Sequence, residues 1–133
     1  MWRMIASVIC GLVTWAVVVT ILNFGLRAAI PDYHAAEATL QFTMAMKLGR
    51  LIEAAMSSIA AGAVVAWIGP TKSWAPWVAG VIVLAMFLPV HVQLWSKFPV
   101  WYHLAFLVPL APLFALGGSM VRRRAMHAEA IAA

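Results

Sequence analysis

Charged residues are scarce in this sequence. They make up 10% of its 133 residues, and only four are acidic. A soluble domain normally carries about a quarter charged residues. Hydrophobic residues make up 65%, and the mean hydropathy is +0.97. An apolar excess of that size cannot be buried inside one small globule, so a soluble domain is excluded and lipid must cover the surface. Cysteine is nearly absent: Cys10 stands alone in the first apolar run, which excludes an intrachain disulfide and any cysteine-based metal motif. There is no G-x-S-x-G, no H-E-x-x-H and no Walker-type phosphate loop. An enzyme reading therefore lacks a nucleophile–base arrangement. No repeat with a period of roughly 20 to 50 residues is present either.

The net charge of +5 has a different meaning here than in a soluble protein. The basic residues flank apolar runs or form the run Arg122–Arg124, which is too short to argue for nucleic-acid binding. Membrane orientation explains their placement.

Four long apolar runs account for most of the chain, at about 4–26, 48–68, 74–94 and 100–120. The first lies between Arg3 and Arg27; at about 1.5 Å per residue it crosses a hydrocarbon core of roughly 30 Å. It is longer than the apolar core of a signal peptide, and "NFGLRAAIPDYH" offers no A-x-A cleavage site, so a retained helix is expected. After it, Pro31 and Asp32 read as a helix start with a side-chain cap. From there a polar stripe runs Thr39, Thr43, Lys47, Arg50, Glu53, Ser57, with Leu40, Met44, Leu48 and Leu51 on another side. This predicts an interfacial amphipathic helix over 31–47 leading into the second span, with or without a bend near Gly49. In the second span Ala54, Ser58, Gly62 and Ala66 recur every four residues, a spacing that lets helix backbones approach in lipid. "GPTKSWAP" is a turn. Pro89, Pro109 and Pro112 should bend the third and fourth spans, and the polar tail should fray. The expected architecture is all-α: a single polytopic membrane domain, an antiparallel bundle of four transmembrane helices plus the interfacial helix between spans 1 and 2.

Four spans put both termini on one side, with Arg3, Lys72, Arg122, Arg123 and Arg124; the other side carries Arg27, Lys47, Arg50 and Lys97. The arginine cluster beside the last span places the termini in the cytoplasm by the positive-inside rule. The 31–47 segment and the stretch "HVQLWSKFPVWYH" (91–103) then share the outer side. Trp95, Trp101 and Tyr102 suit a membrane–water boundary, and Lys97 suits the tip. His91 and His103 lie six positions before and six after Lys97, hence at about the same depth in a hairpin. His34 and Glu37, at i and i+3, share a helix face on the same side. Together His34, Glu37, His91 and His103 form a candidate ligand set for a transition metal such as zinc, copper or iron. The bland alternative is ordinary hydrogen-bonded histidines. A haem held by His91 and His103, and a quinone held among Trp, His and Arg side chains, are narrower forms of the cofactor reading. Met44 and Met46 in "TMAMK" point to different faces, which argues against copper handling. Lys47, Arg50 and Glu53 form the second candidate group: a local Arg50–Glu53 pair or snorkelling arginine on the bland reading, a proton or substrate path on the sharp one. Thr20 and Asn23 lie at the same end and can hydrogen-bond into it.

"PDYHAAE" followed by "LPVHVQLWSKFPVWYHLAFL" resembles a family of small, uncharacterised bacterial membrane proteins with four predicted helices. The resemblance covers nearly the whole chain. It implies the architecture and a bacterial inner membrane, and it transfers no catalytic residue. The function expected from all this is non-enzymatic: an accessory or assembly subunit of a larger membrane complex, with lipid and a membrane-protein partner or a second copy as its contacts. A metal- or redox-cofactor protein using the outer-side histidines is the alternative, and a small transporter using Arg50 and Glu53 the third.

Overall fold

A computed structural model of the chain describes residues 1–70 and 74–132. It contains α1 (Trp2–Ala29), α2 (Tyr33–Thr39), α3 (Met44–Ile68), α4 (Ala75–Gln93) and α5 (Val100–Ala132), and no strand among the described residues. All but α2 are long and apolar enough to cross a membrane. The turn expected around Lys72 has residues 71–73 outside the described residues.

Within its apolar stretch each long helix exposes mainly hydrophobic side chains, so that side is suited to lipid rather than water. On α1 the exposed line is Ile5, Ile9, Val13, Val17, Ile21 and Phe24, at steps of three and four residues. Cys10 lies on the exposed side as well.

The inward faces are built from small residues. α3 is the central helix and packs on α1, α4 and α5. Ala54, Ser58, Gly62 and Ala66 are all buried. At Gly62 the approach is backbone to backbone: a Cβ there would lie 1.9 Å from the Phe114 carbonyl oxygen, and one on Gly117 would lie 2.0 Å from that of Ile59. Only glycine permits that contact, which fixes the depth of α5 against α3. Trp15 of α1 donates from Nε1 to Ser58 Oγ at 3.2 Å in the same buried layer. Partner positions run in opposite directions along neighbouring helices: Gly11 faces Val65 while Gly49 faces Leu26, and Gly80 faces Ala111 while Gly118 faces Pro76.

Three expectations are corrected. The 31–47 segment is not one helix: α2 ends at Thr39, Leu40 turns left-handed at φ 58°, and α3 begins only at Met44. Asp32 stands at the N-cap of α2 but makes no side-chain cap and is itself left-handed. The capping residue is Thr43, whose hydroxyl accepts from the Met46 amide at 3.3 Å. The break therefore falls at 40–43 rather than near Gly49. The tail expected to fray is helical: α5, which like α4 runs on through its interior prolines, continues through the arginine run to Ala132, with the tail exposed. In lipid an interior proline is tolerated because neighbouring groups re-satisfy the freed carbonyl.

Candidate functional site

α2 and the 40–43 linker fold over one end of the bundle because their apolar side chains have somewhere to go. Tyr33, Ala36, Phe42 and Met46 form a second core with Phe98 and Tyr102 from the far hairpin. Tyr33 is fully buried. This small core carries the polar residues of α2 down onto α1 and α3.

Glu37 is the hub of that junction. Its Oε1 accepts from Asn23 Nδ2 at 3.1 Å and its Oε2 from Arg27 Nε at 2.7 Å, and Arg50 Nη1 stands 3.6 Å from Oε1. Burial pushes the Glu37 carboxyl up, but the hydrogen bonds from Asn23 and Arg27 and the charges of Arg27 and Arg50 outweigh it and hold it below the ordinary carboxylate range. Arg50 also donates to the Tyr33 hydroxyl at 3.3 Å and lies over the Phe42 ring at 5.0 Å. Burial raises the Tyr33 phenol above its usual value despite that arginine. The local Arg50–Glu53 pair expected from the sequence does not form: Arg50 turns toward α2, and Glu53 is buried with Oε1 lacking a partner. Lys47, the third member of that stripe, is half-buried and makes no ion pair among the described residues.

His91 of α4 and His103 of α5 meet. Their Nδ1 atoms are 2.8 Å apart, and both rings are buried. Trp95 stacks on His103 at 4.7 Å, and Phe106 packs against His91 at 4.6 Å. One Nδ1 must carry the proton. His103 Nε2 is buried with no partner, whereas His91 borders a cavity. An unmet acceptor is less costly to bury than an unmet N–H. His103 is therefore the Nδ1–H donor with a bare Nε2, and His91 carries its proton on Nε2, as a donor available to the cavity.

That cavity has a volume of about 240 Å³ and lies between α2, α3 and the α4–α5 hairpin. Phe42, Phe87, Phe98 and Phe106 supply its apolar wall, and Arg50, His91, Tyr102 and the Glu37 carboxylate its polar one. Tyr102, expected as an interfacial anchor, is 4% exposed and interacts through its hydroxyl with Arg50. Trp95 and Trp101 remain partly exposed, as anchors at a boundary would be.

The four-residue metal set is not assembled. His34 is exposed on α2, Glu37 is engaged by two arginines and Asn23, and no group of three His, Cys, Asp or Glu suited to a metal exists among the described residues. The two imidazoles are also closer than a shared metal would hold them: nitrogens about 2.0–2.1 Å from a tetrahedral zinc lie about 3.3 Å apart. The contact is a hydrogen bond. Sequence reasoning missed Tyr33, Phe42 and Phe98, because no periodic signal covers the irregular 40–43 linker and residue type alone does not mark an aromatic as buried.

No family model, no curated protein and no solved structure matches the chain.

Proposed function

We propose that the chain is an antiparallel four-helix protein of a bacterial inner membrane, with both termini cytoplasmic, that binds a small ring-bearing ligand such as a quinone headgroup in the pocket beneath α2. The opposed running of partner positions along adjacent helices supports the antiparallel arrangement. Arg122–Arg124 beside the last span support the orientation. The pocket is what carries the functional reading: four phenylalanine rings on one side of a space of about 240 Å³, and the donors of Arg50, Tyr102 and His91 on the other. Aromatic walls with a few convergent polar groups are the usual make-up of a small-molecule site. Arg50, Tyr102 and His91 can donate, and the one acceptor on the wall, the Glu37 carboxylate, is already taken up by Asn23 and Arg27, so the complementary ligand presents acceptor oxygens, as the carbonyls of a quinone do.

The test is calorimetric titration of the protein in lipid nanodiscs with a short-tailed benzoquinone. Binding is expected in the wild type. Arg50→Met should weaken it by tenfold or more, the usual value of a hydrogen bond from a charged donor being about 1.5–3 kcal/mol. Lys97→Met, at the exposed hairpin tip, should leave it unchanged. No heat of binding to the wild type, or equal binding to Arg50→Met, overturns the proposal.

A further inference from the structure

A second cavity, of about 380 Å³, lies on the other side of Arg50, Phe87 and Phe106, between α1 and the centre of the bundle. We propose that it binds a neutral, apolar-bodied molecule through a hydroxyl group, with Glu53 as the acceptor. This rests on a different observation from the aromatic pocket and stands independently of it.

Glu53 is 5% exposed, and its Oε1 is buried without a hydrogen-bond partner. Its neighbours do not supply one. Ser57 donates to the Glu53 backbone carbonyl, not to the carboxyl. Arg50, one turn away, is drawn to Tyr33 and Glu37. Asn23 is occupied with Glu37. A buried polar oxygen left without a donor costs about 1–3 kcal/mol, so a persistent one marks a place where a donor arrives from outside.

The character of that donor follows from the rest of the wall. Trp15, Val19, Phe24 and Phe87 make most of the lining apolar, which selects an apolar body. Arg27 and Arg50 border the same space, so an ammonium would meet two cations. An anion would meet the Glu53 carboxyl at the deep end. A neutral hydroxyl satisfies Oε1 and offends neither. A volume of about 380 Å³ falls within the usual range for small-molecule sites, roughly 300–1,000 Å³.

The experiment uses a matched pair of photoreactive probes on the full-length protein in nanodiscs: a medium-chain alcohol bearing a diazirine, and its methyl ether. Cross-links are mapped by peptide mass spectrometry. The alcohol should label residues of this cavity, Trp15, Val19 or Phe24, about five- to tenfold more than the ether, since a single hydrogen bond separates the two. Glu53→Leu should reduce alcohol labelling to the ether level. Glu53→Gln, whose amide oxygen still accepts, should retain part of the preference. Equal labelling by alcohol and ether in the wild type means that the cavity takes up apolar chains or water without regard to the hydroxyl, and overturns the proposal. That comparison needs no variant, so it decides the matter even if Glu53→Leu does not fold. Undiminished labelling of a folded Glu53→Leu protein overturns it as well.

Discussion

Gly62→Ala adds one methyl group where the backbones of α3 and α5 touch. The new Cβ would stand 1.9 Å from the Phe114 carbonyl oxygen, 2.6 Å from its carbon and 2.7 Å from its Cα. Ordinary contact begins at about 3.4 Å, so α3 and α5 must part by roughly 1.5 Å at this level. All three obstructing atoms are main chain, so no side-chain rotation relieves them. Overpacking normally costs about 1–3 kcal/mol; a clash with helix backbone belongs at the upper end, about 3 kcal/mol, or more than a hundredfold in the folding equilibrium. The matched substitution Gly117→Ala, whose Cβ would meet the Ile59 carbonyl at 2.0 Å, should cost a similar amount. Because one separation of the helices relieves both clashes, the double variant should be destabilised by clearly less than the sum of the two. The assay is reversible unfolding in mixed detergent micelles, with Met56→Leu on the exposed side of α3 as the control, expected within about 0.5 kcal/mol of wild type. Gly62→Ala within about 0.5 kcal/mol of wild type, or strict additivity of the pair, would refute the close approach of these helices.

Other expectations follow from single contacts. Ser58→Ala leaves the buried Trp15 Nε1–H without its acceptor and should cost about 0.5–2 kcal/mol; the same unfolding assay reads it. The folded-state pKa of Glu37 is held below the ordinary carboxylate value, so the stability that it gives to the docking of α2 is whole above that ordinary value and disappears as pH falls through the lower folded one. Amide exchange of residues 33–39 should accordingly stay slow from pH 7 to pH 5 and quicken only at more acid pH; acceleration already between pH 7 and pH 5 would contradict the ion-pair hub. In a Cys10→Ala background, Lys97→Cys should react with an impermeant thiol reagent from outside the cell and Ala125→Cys only after the membrane is opened, and the reverse pattern would invert the proposed orientation.

The sequence was legible where its signal was periodic. The four apolar helices, the small-residue face of α3 and the equal depth of His91 and His103 all follow from spacing that a helix converts directly into geometry. The direction in which Arg50 turns was not legible. Its charged neighbour in sequence is Glu53, three residues on, but Tyr33 and Glu37 reach it only because the chain breaks at 40–43 and folds α2 back over the end of the bundle. That break depends on a left-handed leucine and a threonine cap, neither of which interrupts the hydrophobic pattern. The metal set failed for a related reason. His34 and Glu37 do sit near one another on α2, but the helix buries Tyr33 and Ala36 instead, which leaves His34 on the exposed side. Tyr102 and Phe98 were hidden by their types, since buried and interfacial aromatics look alike in a sequence.

The buried histidine pair is the feature on which the pocket and its donor set depend, and nitrogen-15 magnetic resonance of histidine-labelled protein in bilayers observes it directly. One imidazole should be protonated at Nδ1 and its partner at Nε2, with a coupling transmitted between the two Nδ1 atoms across the 2.8 Å contact; His91→Phe should abolish that coupling. Two Nε2-protonated rings with no coupling, in protein whose helices are intact, would mean that His91 and His103 do not meet, and the pocket would lose His91 as a donor held in its wall.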